Sequence, residues 1–348
     1  MGIFDIFSNK SILCPYDLVE TRYTGNIGAC PSCKTNFPPL YYQTHKECPP
    51  FFLQMTGWSQ VGKSAFLLSL TYVLQQMNPY WGTDFVIMPE TDPTMKYFQQ
   101  ASDVRLTGKV PTPTQLRIQD AFIIQMKNMP RWGNRTLVTR DVAGEAFEGQ
   151  MELPLEYMPY LLHVPTTLML TSPIDMIPLK DGDNSAEKQK RLQPEIQHLM
   201  TKFINTLAKA GHDFRKVPRR VIVIISKADK LSKESAGPIQ LYPDLISYLQ
   251  AGELSPNNPK KELANTQKMD VYMNTLTAIG ERTREYVMDC IPGGRQLVAQ
   301  AKDYNISLDF CLVSSLGSDV GPNGVLEYNL NPMRVLDPLL LALDQQSY

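Results

Sequence analysis

The 348-residue chain has no strong excess of either charge: 34 Lys and Arg stand against 35 Asp and Glu, a formal net charge of −1. That balance excludes bulk attraction to nucleic acid or acidic membranes, so such a partner would need a local patch, and none is indicated. Long apolar runs are also missing. Stretches such as Ala65 to Leu70 and Val221 to Ile225 fall far short of the roughly 20 residues of a membrane-spanning helix, and no transmembrane segment is expected. The opening Met1-Gly2-Ile3-Phe4-Asp5-Ile6-Phe7-Ser8 has Ile6 where an acylation signal needs Ser or Thr, and no basic segment ahead of an apolar one. The expectation is a cytoplasmic protein whose first apolar residues dock on its own domain. No internal repeat is present, and the length suits one large domain with a small appendage.

Cysteine is scarce beyond the first fifty residues. Cys290 and Cys311 fall in segments that read as helix and buried strand, whereas Cys14, Cys30, Cys33 and Cys48 crowd the leader. In a reducing compartment disulfides are disfavoured. Cys30-Pro31-Ser32-Cys33 has the spacing of a knuckle whose two thiolates bind one zinc ion. A second C-x-x-C pair is absent: Cys14-Pro15-Tyr16-Asp17 has the same shape with Asp17 in the second sulfur position. The expected ligand set is Cys14, Cys30, Cys33 and Cys48, with Asp17 and His45 as alternatives for the fourth place. This makes residues 1–49 a small zinc-ribbon-like module with a structural Zn2+; the plainer alternative is free cysteines in a loop-rich leader.

A larger domain follows over residues 50–348. Phe51 to Met55 is an apolar run that suits a buried strand. Gly57-Trp58-Ser59-Gln60-Val61-Gly62-Lys63-Ser64 then matches G-x-x-x-x-G-K-[ST], with Ala65 opening an apolar helical stretch to Met77. Glycines at both ends let backbone N–H groups curl towards phosphate oxygens, Lys63 supplies positive charge for the β- and γ-phosphates, and Ser64 offers a hydroxyl to magnesium. Downstream, Arg135 to Arg140 reads as a strand delivering Asp141-Val142-Ala143-Gly144, a D-x-x-G turn. Its aspartate suits magnesium held through water, and its glycine N–H suits sensing of the γ-phosphate. The β-branched run Val221 to Ile225 delivers Ser226-Lys227-Ala228-Asp229.

On these motifs the chain resembles a Ras-like P-loop GTPase of the translation-factor-related class, across about residues 50 to 348. The resemblance implies an α/β three-layer sandwich with a mostly parallel central sheet. It also implies that Asp229 accepts hydrogen bonds from the guanine ring, that the stem of Lys227 packs on the base, and that Ser314-Ser315-Leu316, after a last strand Ile306 to Val313, is similar to the loop whose backbone contacts the guanine oxygen. Ser226 stands where the family usually has Asn or Thr, which leaves the tether to the phosphate loop open. The family's switch threonine, a magnesium ligand in the GTP state, is expected at Thr114, with Thr112 as runner-up.

Catalysis departs from the small-GTPase pattern. Glu145 occupies the position where many relatives carry Gln, and a carboxylate brings negative charge towards an anionic γ-phosphate. Slow hydrolysis is therefore expected, by in-line attack of water with magnesium held by Ser64, Thr114 and Asp141. Arg131, Arg135 and Arg140 are weak candidates for a cation in cis. Insertions are expected near 78–110, with a helix from Thr94 to Leu106, and near 231–302, with helices over Leu241 to Gln250 and Thr266 to Asp289. Asp175 reads as a loop or cap residue, and an apolar helix is expected from Asn331 to Leu343. The leader, the D-x-A-G-E turn and the terminal Arg334-Val335 to Leu340 pattern are together similar to bacterial double-GTPase-type proteins of conflict systems, which implies protein partners that read the GTP or GDP state. A catalytically weak nucleotide-bound scaffold and an ATPase are the competing functions.

Overall fold

The computed structural model describes residues 10–23, 26–111, 121–141, 158–176, 194–233, 238–251 and 266–344. Strands β1 (Lys10–Leu13) and β2 (Glu20–Tyr23) form a small antiparallel sheet, followed by helix α1 (Pro39–Thr44). The strands β3 (Pro50–Gly57), β4 (Val86–Pro89), β5 (Phe122–Met129), β6 (Gly133–Asp141), β7 (Thr166–Thr171), β8 (Arg219–Ile225) and β9 (Ile306–Leu312) form a seven-stranded sheet in the order β4-β5-β6-β3-β7-β8-β9. Its centre follows from composition. β7 and β8 are buried along their whole length, as parallel strands covered on both faces must be. From β6 to β9 the pairings are parallel, and β4 and β5 add an antiparallel edge. The fold is thus the mixed α/β architecture with a mostly parallel sheet flanked by helices that the motif order implied.

The helices are α2 (Lys63–Gln75), α3 (Asn78–Trp81), α4 (Asp92–Thr107), α5 (Met158–His163), α6 (Ile196–Lys209), α7 (Ala228–Lys233), α8 (Pro243–Gln250), α9 (Thr266–Cys290), α10 (Gly294–Asp303) and α11 (Asp337–Asp344). Helix α6 shows why they lie on the sheet: Ile196, Leu199, Met200, Phe203, Ile204 and Leu207 are its buried residues, a single stripe at helical spacing. No described helix is long and apolar enough to cross a membrane. The expected terminal helix is shorter than its apolar pattern. Asn331 and Met333 instead bond the backbone of Leu316 and Ser314, and the helix starts only at Asp337, with Pro338 in its first turn, where a missing N–H costs nothing. β5 begins at Phe122, and residues 112–120 lie outside the described residues.

A buried polar lock joins the insertion helices to the chain end. The Asp337 carboxylate accepts hydrogen bonds from Tyr248 (2.7 Å) and from Tyr272. Arg334 donates to the Tyr248 carbonyl (2.8 Å) and stacks 3.7 Å from that ring's centre. Burial raises the Asp337 pKa, with Arg334 and the two phenols opposing it. The N-terminal module is continuous with this body, since Ile12, Cys14, Cys30, Phe37 and Tyr41 belong to the same apolar cluster as the sheet.

Candidate nucleotide site and metal cluster

β3 ends between β6 and β7, where strand order reverses, and open α/β sheets bind ligands beyond the carboxyl ends of strands at such a point. The loop that follows needs both its glycines. A Cβ on Gly57 would lie 2.6 Å from the Leu170 carbonyl oxygen and 2.9 Å from Val61 Cγ2. Gly62 has φ 99° at the N-cap of α2, a left-handed conformation that side chains disfavour. Lys63 is buried, and its ammonium donates to the carbonyls of Gly57 (3.0 Å) and Trp58 (3.1 Å). The cation therefore lies folded into the loop, with a donor set and a backbone cradle that fit a phosphate group. Trp58 is buried beneath it, and Lys202 of α6, a residue its sequence context does not single out, stands 5.0 Å over the indole.

The S-K-A-D segment leaves β8 beside this loop. Ser226 donates from Oγ to the carbonyls of Val61 (2.8 Å) and Thr171 (3.0 Å). The serine that departs from the family pattern thus still ties the segment to the phosphate loop. Lys227 adopts φ 53° and its ammonium lies 2.6 Å from Asp175. A non-glycine residue in that region is strained unless its surroundings hold it, and the ion pair does so. Asp229 is 5% exposed and accepts a 2.5 Å bond from Ser314 Oγ, while Ser69 of α2 donates to the Ser315 carbonyl at 2.5 Å. Leu316 packs, half-buried, against the core. The Gly57 to Ser64 loop, Ser226 to Asp229 and Ser314 to Leu316 are thereby brought together. Asp175, expected to be a loop or cap residue, lies in a 3-10 turn after β7 and also pairs with Lys227. Parallel pairing of Thr171 with Ile225 sets the residues that follow the two strands side by side, and that adjacency is the signal that could have found it.

Other expected residues are placed less completely. Asp141 is the last residue of β6, paired with Met55 just ahead of the phosphate loop; its side chain lies outside the described residues, as do Thr112, Thr114, Gly144 and Glu145. The three arginines considered as cis cations have other contacts. Arg131 pairs with Asp270 (2.6 Å) and Asp344, Arg135 donates to the Asn134 carbonyl, and Arg140 donates to the Tyr16 carbonyl (3.4 Å) with its guanidinium 5.7 Å from the Tyr160 ring centre.

In the leader, one potential ligand atom each from Cys14, Asp17, Cys30 and Cys33 lies within 4.8 Å of all the others. Cys14 Sγ is 3.7 Å from Cys33 Sγ, and Cys30 Sγ is 3.6 Å from Asp17 Oδ2. Two matching turns build the group. Leu18 N–H donates to the Cys14 carbonyl and Lys34 N–H to the Cys30 carbonyl. Cys14 and Cys30 in turn donate to the carbonyls of Val19 and Thr35, and both Leu18 (φ 56°) and Lys34 (φ 62°) are left-handed. The fourth-ligand expectation needs correction: Cys48 is outside this group and Asp17 is in it. The backbone of Cys48 carries the chain from α1 into β3, its N–H bonded to Thr44 and its carbonyl accepting from Thr136 Oγ1. His45 places both ring nitrogens against the carbonyls of Tyr42 and Ser11. Burial pushes the Cys14 thiol up. Burial also acts to raise Asp17, but bonds from the Val19 N–H and from Cys14, Ser32 and Cys30 outweigh it and hold its carboxyl below the usual range. Burial lifts Glu90, whose carboxylate oxygens have no hydrogen-bond partner, from 4.5 to about 7.

No protein-family model matches the chain, and no curated protein matches it. Among solved structures it is similar to the GTPase-like domain of Ski7 from S. cerevisiae, crystallised bound to GTP, with 14% sequence identity and a TM-score of 0.35 over 85% of this chain and 50% of that one. The chain spans about half the length of that relative. A likeness this loose carries no argument about function, and the fold rests on the strand order and pairing described above.

Proposed function

We propose that this chain binds guanine nucleotides with Mg2+ at the carboxyl ends of β3, β6, β8 and β9, hydrolyses GTP slowly, and serves as a nucleotide-dependent switch for protein partners. The observation that carries the reading is the double tether: Ser226 holds the phosphate loop at Val61 while Ser314 holds the buried Asp229 carboxylate. Phosphate-binding and base-reading groups thereby share one site. In this reading Gly57 to Ala65 wrap the phosphates and Lys63 leaves the loop carbonyls for the β- and γ-oxygens. Ser64, Thr114 and Asp141 hold the magnesium ion, which neutralises charge on the phosphates. Asp229 selects guanine, because two N–H donors of that base can satisfy a carboxylate and adenine cannot supply them. The N–H of Gly144 senses the γ-phosphate. Glu145 can accept a hydrogen bond from the attacking water but brings negative charge towards the anionic γ-phosphate, which makes turnover slow. The Cys14, Asp17, Cys30 and Cys33 group holds a structural Zn2+. Single-turnover hydrolysis of GTP by the full chain tests the catalytic part. The expected result is a slow rate that Lys63→Ala abolishes; a rate unchanged by Lys63→Ala would refute it, and GTP bound but never cleaved would favour the scaffold reading.

A further inference from the structure

The Cys and Asp group and the nucleotide site are not independent places in the fold. An ion at about 2.3 Å from sulfur and about 2.0 Å from oxygen in a tetrahedral site sets sulfur–sulfur edges near ~3.8 Å and sulfur–oxygen edges near ~3.5 Å. Two of the six edges, Cys14–Cys33 at 3.7 Å and Cys30–Asp17 Oδ2 at 3.6 Å, have about these lengths, and all lie within 4.8 Å. Tyr16 lies between the ligands Cys14 and Asp17. Its N–H donates to Cys14 Sγ at 3.4 Å, and its carbonyl accepts from Arg140 Nη1, also at 3.4 Å. Arg140 is the residue before Asp141 on β6, and that strand end is in register with the end of β3 that opens the phosphate loop. Tyr160, under the Arg140 guanidinium, donates its hydroxyl to the carbonyls of Leu53 on β3 (2.8 Å) and Val138 on β6 (3.2 Å). A continuous path of ligand, peptide, guanidinium and strand end therefore joins the two sites.

We infer that a Zn2+ ion held by Cys14, Asp17, Cys30 and Cys33 fixes the Tyr16 peptide and, through Arg140 as a positioning residue, the end of β6, so that zinc binding and guanine-nucleotide binding are thermodynamically linked. The inference rests on the nucleotide reading given above. Without the ion, the turn from Cys14 to Asp17 keeps its backbone bonds but loses the ligand bonds on either side of Tyr16, so the Tyr16 carbonyl is a less rigidly fixed acceptor for Arg140, the residue before Asp141. Linkage is reciprocal: whatever factor zinc applies to nucleotide affinity, the nucleotide applies to zinc affinity.

The test uses the full chain, zinc-loaded or stripped with a chelator under reducing conditions, with circular dichroism confirming that each form is folded. Zinc content and affinity are read by competition with a chromophoric chelator. Affinity for GDP and for a non-hydrolysable GTP analogue is read with fluorescent nucleotides in Mg2+. One zinc per chain is expected, lost in Cys33→Ser and weakened in Asp17→Asn. Stripping should change affinity for at least one nucleotide by about fivefold or more, at the lower end of ordinary couplings, with the same factor recovered in the zinc titration. Arg140→Ala should keep its zinc and lose the dependence, and this arm stands even where the stripped wild type does not stay folded, because its zinc affinity should no longer respond to nucleotide. Nucleotide affinities equal within twofold in both metal states overturn the linkage, as does an Arg140→Ala chain that retains the dependence. A chain that takes up no zinc overturns the metal site. Failure of the zinc-loaded chain to bind either nucleotide overturns the nucleotide reading itself, and the zinc titration identifies that case separately.

Discussion

Replacing Ser226 with Ala asks whether the tether between the two halves of the site matters. The hydroxyl has one proton, shared between the carbonyls of Val61 (2.8 Å) and Thr171 (3.0 Å), and the residue is 2% exposed. A buried hydrogen bond contributes about 1 kcal/mol net, and the Val61 carbonyl losing this donor costs up to about 1 kcal/mol more, whereas the Thr171 carbonyl keeps the Ser226 N–H. Because Val61 lies inside the phosphate loop, most of this 1–2 kcal/mol should appear as weaker nucleotide binding, a loss of roughly 5- to 30-fold at 1.4 kcal/mol per tenfold. Equilibrium titration with fluorescent GDP measures it, and Ser226→Cys, which keeps the volume but donates weakly, should fall with Ala. Affinity within twofold of wild type in both variants would refute the reasoning, since the phosphate loop would then hold its shape without the bond.

Three further outcomes follow from particular contacts. Gly57→Ala places a methyl 2.6 Å from the Leu170 carbonyl oxygen; overpacking of this kind costs about 1–3 kcal/mol, and both melting temperature and GDP affinity should drop. Arg334→Ala removes the buried guanidinium that bonds the Tyr248 carbonyl and offsets the burial of the Asp337 carboxyl, and should cost about 1–3 kcal/mol, read by denaturant unfolding. For Glu90 the folded pKa of about 7 lies above the ordinary 4.5, so between those values the folded chain keeps a proton that the unfolded chain has released. Stability is then full at low pH, falls as pH rises through this window, and levels off above it. The fall is at most ~3 kcal/mol, reduced to roughly 1–2 kcal/mol by solvent screening. Glu90→Gln should therefore match wild type near pH 4.5 and melt roughly 2–5 °C higher near pH 8; an equal gain at both pH values would refute the assignment.

The sheet was legible where a central strand buried on both faces carries an aliphatic run, as in Val221 to Ile225 of β8; β7 is equally buried, yet its ends are threonines. The phosphate loop was legible because its backbone geometry demands glycine at two fixed places. Pairings that depend on strands meeting in space were harder to read. Asp175 looked like a turn residue until the parallel register of β7 and β8 put it beside Lys227. Asp17 was masked by the greater ligand strength of a nearby cysteine, yet the shared Cys-Pro-x-[Cys or Asp] spacing of the two turns was already in the sequence, and it outranks proximity because turn geometry decides where a ligand atom points. The start of the last helix was placed too early: Asn331 and Pro332 are poor helix formers, and the N–H groups of Asn331 and Met333 serve the Ser314 loop.

In the proposed reading Asp229 and the Gly57 to Ser64 loop form one guanine-nucleotide site. Isothermal titration of the purified chain with GDP, a non-hydrolysable GTP analogue and ATP in Mg2+ tests it most directly, with Asp229→Asn alongside. The account predicts binding of both guanine nucleotides, little or none of ATP, and loss of the guanine preference in Asp229→Asn. Equal or tighter binding of ATP, or no binding of any nucleotide, would contradict it.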